Sequence, residues 1–587
     1  MEKVCWPIKK NLTFFVVLFL LLAEHTVLIL YRRSGGGVPF LCLSALYAYI
    51  MTWMVGFSRL RWLKTLLYVV FFLIFFIDVF LAINFFSSIS PSTVTLLLET
   101  NGEESAGFFS NFMLTKRAVI TYVICLLMVC LMVVGERVQG RLIHILSKFR
   151  WEKPVGIVLL AVMAYGLYSF HIYFSMLRIK HAYDIDLWIE DHHYEPMDNI
   201  SNLFYCLYDL QLAKGDQQIA IKQLFHPDMK RGKVATNDSV DVVLIIGESF
   251  NKYHSNLYGY QHVTNPYMTE EKANGRLFVF EDAVSPFNLT SKVLRNVFCC
   301  NSMGMGEQWS NSPFLPAIFR QAGYFVCFWD NQYNKQSNDS FDYSLNSFLH
   351  GEEISRASYD LTNDELWQYD GDAVEAMMKA HQPAKGKQNM VILHLMGQHV
   401  DYYCRFPHGG SFDHFNKDSI QRGESYMDDA KRQLIADYDN ATLYDDAVLK
   451  QVIDNYRNQN AVIVFFPDHG EEVYDFRAYF GRDHSNFNRN ILKCDYEVPF
   501  FIWCSETYSQ RNPEIVERVR QSQRKPFSID NLCHMLFSLG MVETPYYIPE
   551  RDVLSDSYEC PPRIVGDKFD YDSIMGNPAL GSTKTIK

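Results

Sequence analysis

The stretch VIVFFPDHGEEV delivers an acid and an imidazole, Asp468 and His469, directly after five apolar residues and a proline. Three other apolar runs end in the same kind of residue. DVVLIIGES ends at Glu248, NMVILHLMG is followed by His399, and RLFVFEDAV leads into SPFNLTSKVL, with Asn288, Thr290 and Ser291 at a helix-like start. Beyond the Asp-His pair, GRDHS adds His484. Two carboxylates, an imidazole and a hydroxyl are the donors a divalent cation takes, and zinc accepts all of them while depressing the pKa of a coordinated hydroxyl. A threonine activated in that way is a competent nucleophile, whereas a free one is not. Further imidazoles nearby can carry protons or hold an anionic substrate. Each residue alone has an ordinary explanation: Glu248 as a cap, DHG as a turn, Thr290 as a helix N-cap, His399 as a structural side chain. Their joint arrival at strand ends is what points to a metal site.

The apolar runs read as buried strands over 241–249, 276–284, 323–331, 389–397, 460–470 and 496–503. Between them, 427–459 has the pattern of one or two helices. Continuous apolar strands alternating with helices predict an α/β domain, a central mostly parallel sheet covered by helices on both faces. In such sheets chemistry collects beyond the C-terminal ends of the strands.

This domain is expected over 238–548, in a chain of 587 residues whose average composition hides two unlike halves. Residues 1–173 are dominated by Leu, Phe, Val, Ile and Tyr. Five spans, Asn11–Tyr31, Pro39–Phe57, Leu63–Phe86, Arg117–Gly135 and Val155–Tyr173, are each near the ~20 residues needed to cross a bilayer. A five-helix transmembrane bundle is predicted. Lys3, Lys9, Lys10, Arg59, Arg61, Lys64, Arg137, Arg141, Lys148, Arg150 and Lys153 flank one side, against Arg32, Arg33, Lys116 and Arg117 on the other. That bias puts the N-terminus in the cytoplasm and, after five crossings, the α/β domain outside. Glu24 and His25 interrupt the first span and must face protein, water or a lipid headgroup. Residues 174–237 read as an interfacial connector and linker, and 549–587 as a polar tail. The net charge of −12, with no basic stripe, argues against nucleic-acid binding. Nine of the thirteen cysteines lie in the part placed outside, where disulfides can persist.

Taken together, GESFNKYHSNLYGY (247–260), FEDAVSPFNLTSKVLRNVF (280–298), WDNQ (329–332), HLMGQHVDYYCRFP (394–407), DHGEE (468–472) and GRDHS (481–485) resemble the membrane-bound phosphoethanolamine transferases of Gram-negative bacteria, in the alkaline phosphatase/sulfatase-like superfamily. The resemblance implies zinc (Zn2+) held by Glu248, Asp468, His469 and the Thr290 oxygen. It implies Thr290 as the carrier of phosphoethanolamine, with His399 and His484 on the substrate side and Asn288 and Asn331 as polar substrate contacts. The lysine that the family carries beyond its WDN-like motif has Lys335 as its nearest counterpart, and Pro286 and Asn296 stand where some relatives carry cysteines. The implied reaction moves phosphoethanolamine from phosphatidylethanolamine to an envelope glycolipid, lipid A or lipopolysaccharide core, at the periplasmic face of the inner membrane. The rivals are a phosphoglycerol transferase of the lipoteichoic-acid-synthase kind, which shares anchor, fold and threonine, and an inactive membrane-anchored scaffold. NLYGY after the glutamate motif favours the ethanolamine branch.

Overall fold

The computed structural model describes residues 2–32, 37–58, 61–85, 88–91, 93–94, 113, 115–148, 151–181, 185, 188, 197–225, 232–236, 238–306, 308–332, 349–381, 388–484, 486–566 and 568–576. The chain forms two compact units, Met1–Gly215 and Asp216–Lys587.

The first unit is helical: α1 (Glu2–Lys10), α2 (Leu12–Arg32), α3 (Val38–Phe57), α4 (Arg61–Phe85), α5 (Lys116–Ser147), α6 (Glu152–Met176) and α7 (Asn199–Leu224), the last running across the unit boundary. Among the described residues four helices are long and apolar enough to cross a membrane, and five spans result if α1 and Leu12–Leu28 of α2, bent by 86°, count as one. α5 continues well past the expected end at Gly135, because Glu136–Ser147 contains good helix formers and no breaker other than Gly140. His25 lies 2.6 Å from Asp78 of α4, Nδ1 to Oδ2, and Asn199 Nδ2 donates to Glu24 Oε2 at 3.3 Å. The polar residues of the first span therefore face protein partners.

The second unit is built on a seven-stranded sheet: β1 (Asp241–Gly247), β2 (Leu277–Phe280), β3 (Phe325–Asp330), β4 (Leu361–Thr362), β5 (Asn389–His394), β6 (Ala461–Pro467) and β7 (Phe500–Cys504). The order is β2-β7-β6-β1-β5-β3-β4, with β7 antiparallel to both neighbours and every other pairing parallel. All six expected strands are present; β4, two residues long, carried no periodic signal. Residues on β1, β5 and β6 are buried without exception, as in a sheet covered on both faces. One face, with Val243, Ile245, Val391, Leu393, Ile463 and Phe465, packs with Val448, Leu449, Val452 and Ile453 of the single helix Asp429–Tyr456. On the opposite face Phe328 meets Phe298 of helix Thr290–Phe298, their ring centroids 6.0 Å apart.

The register puts Gly247, Pro467 and His394 at one edge: Ile246 is opposite both Phe466 and His394, and Gly247 is opposite Pro467. The three central strands thus end together, and the residues that follow them share one rim.

One expectation is corrected. Residues 549–576 are not a coreless tail. Arg563 is fully buried and paired with Asp572 and with Asp282 at 2.6 Å, and Val565 and Tyr571 join a core with Leu492 and Tyr496. A lone cation there reads as polar in sequence, but its two carboxylates offset part of the cost of burying it. The thirteen cysteines, whose pairing the sequence leaves open, form no disulfide.

Candidate active site

Glu248 follows β1 and is fully buried. Its Oε1 accepts from Ser249 Oγ at 2.8 Å, and its Oε2 accepts from Thr290 Oγ1 at 3.2 Å. Across the rim, Asp468 and His469 follow β6. His469 Nε2 stands 3.1 Å from both Glu248 Oε1 and Asp468 Oδ2. Glu248, Asp468 and His469 bring one ligand atom each within 4.8 Å of one another, all buried.

Backbone geometry makes this convergence possible. Gly397, with φ +47°, follows β5 where a Cβ would lie 2.8 Å from Glu248 N and 2.9 Å from Glu248 O. No other residue lets the two strand ends approach so closely. At Gly470 a Cβ would run into the Cys494 carbonyl, while Gly470 N–H donates to Asp495 O at 2.9 Å. The glycine of DHG thus fits the close packing of the turn against 494–495.

The donor set fits a cation. Asp468 Oδ2 is buried without a hydrogen bond although it lies 3.1 Å from a ring nitrogen. His469 Nδ1–H donates to Gly470 O at 2.9 Å, which turns Nε2 toward both carboxylates as the nitrogen that would give up its proton to a cation. Burial by itself would depress the His469 imidazole, but the Asp468 and Glu248 charges overcome it and push it up to about 10. Burial would likewise raise Glu248, but the charges of His469, His399 and Arg482 hold it well below the usual carboxylate range. The opposed shifts are two sides of the pairing between the imidazole and the carboxylates.

The histidines divide. Asn288 Nδ2 donates to Asp483 O and to Asp495 Oδ2, both at 3.1 Å, so its Oδ1 accepts from His484 Nδ1 at 3.0 Å. His484 therefore has its free lone pair on Nε2. Burial, then the charges of Arg482, His469 and Lys292, push it down to about 3, so it is neutral at any physiological pH. His399 is half-buried, donates from Nδ1 to Val400 O at 2.7 Å, and reaches Glu248 only through its field.

Asn331 does not join the site. Its Nδ2 donates to Asp370 Oδ1 at 2.9 Å and its Oδ1 accepts from Trp367 N at 2.8 Å, so both ends of the amide are committed to the loop. Its neighbour Gln332 reaches in instead, donating to Glu248 Oε2 at 3.1 Å and to Leu395 O at 2.7 Å. The two lie one position apart past a strand end, and only the backbone path decides which side chain turns inward. Lys335 lies outside the described residues. Ser249, Gln332 and Arg482 carried no distinguishing sequence signal beyond adjacency to the motifs. Arg482 Nη1 stands 2.6 Å from His469 Nε2.

Residues 241–540 match the sulfatase family, slightly more than half of the chain. Among curated proteins, phosphoethanolamine transferase EptC of Escherichia coli is 25% identical over 518 residues, 84% of this chain and 83% of the relative. The Kdo(2)-lipid A phosphoethanolamine 7''-transferase of Salmonella typhimurium is 26% identical over 306 residues, 50% of each chain. The periplasmic domain of Escherichia coli EptC, solved in complex with Zn, is 25% identical with a TM-score of 0.51, covering 61% of this chain and 99% of that one. The integral membrane protein EptA of Neisseria meningitidis shares the fold over 92% of this chain and 97% of its own, at 17% identity and a TM-score of 0.58. The curated relatives that cover most of its length carry the name phosphoethanolamine transferase, and the chain itself belongs to the sulfatase family.

Proposed function

We propose that this protein transfers phosphoethanolamine from phosphatidylethanolamine to an envelope glycolipid, lipid A or lipopolysaccharide core, through a covalent intermediate on Thr290. The observation that carries the proposal is the meeting of a threonine hydroxyl with Glu248, Asp468 and His469, which come from two strand ends more than two hundred residues apart. A zinc ion held by these four residues would lower the pKa of the hydroxyl and stabilise charge on the phosphoryl oxygens.

Thr290 Oγ1 attacks phosphorus, the bond from phosphorus to the diacylglycerol oxygen breaks, and the proton released by Thr290 passes to that oxygen with His399 as carrier. In the second half, an acceptor hydroxyl or phosphate attacks the phosphothreonine. His484, its Nε2 lone pair free, takes the proton of an acceptor hydroxyl once the anionic phosphoryl group offsets the cationic charges that depress it, and returns that proton to the Thr290 oxygen as the oxygen leaves. Asn288 keeps His484 in the tautomer this requires. The apolar helices of the first unit support placement in the inner membrane, with the N-terminus in the cytoplasm and the catalytic unit in the periplasm. The relatives' names support the phosphoethanolamine group and the glycolipid acceptor.

Replacing Thr290 with Ala in cells without a second such enzyme should abolish ethanolamine-phosphate on the glycolipids, read by mass spectrometry. Unchanged modification would end the proposal.

A further inference from the structure

We propose that Arg482 binds the non-bridging oxygens of the phosphoryl group in transfer, an assignment that rests on the function proposed above. The residue is placed by its backbone. Phe480–Gly481 pairs antiparallel with Glu472–Val473, Gly481 turns at φ +104°, Tyr479 Oη donates to Arg482 O at 2.7 Å, and the next amide, Asp483 N–H, donates to Asp495 Oδ2 at 2.9 Å. This hairpin leaves the Asp468–His469 turn and brings the side chain back against it.

The guanidinium is then left open. Its contacts are His469 Nε2 at 2.6 Å and Asn288 O at 3.4 Å, both made by Nη1. Among the described residues no carboxylate lies within 4.0 Å of it. Arg477, five residues earlier on the same hairpin, is forked between Glu472 at 2.7 Å and Asp483 at 3.0 Å, and Arg563 is shared by Asp282 and Asp572. Glu248, Glu471, Asp468 and Asp495 all act on Arg482 through their fields, yet none closes on its fork. A guanidinium offers five N–H donors in a plane that matches a phosphoryl group, and among the described residues most have no acceptor here.

Position selects the ligand. One contact ties Arg482 to the segment two residues before Thr290, and the other ties it to the imidazole nitrogen that faces both carboxylates. A divalent cation on His469 Nε2 would set a like charge beside Arg482, whose Nη1 stands 2.6 Å from that nitrogen. An anionic oxygen lying between the two relieves both. Thr290 is also the first residue of a nine-residue helix whose N-cap, Leu289, supplies no side-chain acceptor, so the first-turn amides favour the same anion.

The test uses the intact protein in detergent, loaded with zinc, as wild type, Arg482→Gln and Arg482→Lys. Zinc content, calorimetric binding of inorganic phosphate, and the mass gained at Thr290 on incubation with phosphatidylethanolamine are measured. Arg482→Gln should keep its zinc, bind phosphate about 10- to 100-fold more weakly and load Thr290 about 100- to 1000-fold more slowly. Arg482→Lys should fall between, because an ammonium keeps the charge and loses the fork. Wild-type phosphate affinity in Arg482→Gln with zinc intact would overturn the assignment, as would loss of zinc in both variants, which would make Arg482 a support for the metal ligands. Absence of phosphate binding by the wild type overturns it too. If phosphate binding changes as stated but Thr290 never gains mass in the wild type, Arg482 stands as an anion site and the transfer reaction is what fails.

Discussion

A single oxygen, that of Tyr438, tests whether the site is held by its surroundings. Tyr438 comes from helix Asp429–Tyr456, is fully buried, donates to Ser249 O at 2.6 Å and accepts from Asn251 N at 2.7 Å. It thereby clamps the turn that follows Glu248, in which Ser249 holds φ +55°, a left-handed conformation costing a non-glycine residue about 1 kcal/mol. Tyr438→Phe preserves the ring, which packs edge-on against Tyr402 at 4.9 Å and His254 at 5.0 Å. What it removes is the only hydrogen-bonding atom. Two buried backbone groups lose their partner at about 1–3 kcal/mol each, so a total loss of about 2–6 kcal/mol is expected. Because the turn positions a proposed ligand, zinc affinity should also fall by about 10- to 100-fold, as for other groups that orient metal ligands. Urea unfolding followed by tryptophan fluorescence reads the first quantity, and competition with a chromogenic chelator reads the second. A change below about 0.5 kcal/mol together with unaltered zinc affinity would refute the reasoning, since the turn would then hold itself.

Other outcomes follow from the same geometry. Burial pushes Asp495 up to about 8, only partly offset by the hydrogen bonds from Asp483 N and Asn288. Between pH ~4 and ~8 the folded chain keeps a proton that the unfolded chain has released, so stability falls as pH rises through that window, by at most about 1.4 kcal/mol per unit. Asp495→Asn removes this slope, and its Tm relative to wild type should rise from pH 5 to pH 8; an equal difference at both would count against it. Gly397→Ala places a Cβ against the backbone of Glu248 at positive φ, and should cost about 2–4 kcal/mol and lower zinc content, measured by denaturation and elemental analysis. Chelation with EDTA should stop transfer and added zinc restore it, while far-UV circular dichroism stays native, because the sheet core around Val243, Val391 and Ile463 is closed without the site.

Much of the architecture was legible because apolar runs in this chain are long and sharply bounded. A strand buried on both faces has no polar interruption, so Asp241–Gly247, Asn389–His394 and Ala461–Pro467 each announce themselves, and the first polar residue after each marks the rim. The helical spans were equally plain, since hydrocarbon tolerates little else. Where a helix outlasts its apolar stretch, as α5 does beyond Gly135, the ending depends on backbone propensity and was missed. The final segment was misjudged for a related reason: Arg563 looks solvated until Asp282, nearly three hundred residues earlier, lies beside it.

Within the site, the types of the residues and their place at strand ends came from the linear order alone, because a sheet's strand ends form an edge wherever the strands pair in parallel. That Glu248, Thr290, Asp468 and His469 lie within a few ångströms is instead a consequence of register, of Gly247 opposite Pro467 and of Gly397 pressed on Glu248. Neighbours such as Asn331 and Gln332 are chemically alike in a sequence, and only the fold turns one inward and ties the other down. Arg482 shows the same limit most clearly: its charge is written in the chain, but whether that charge is spent on a carboxylate or left for a substrate depends on which acids the folded backbone brings within reach.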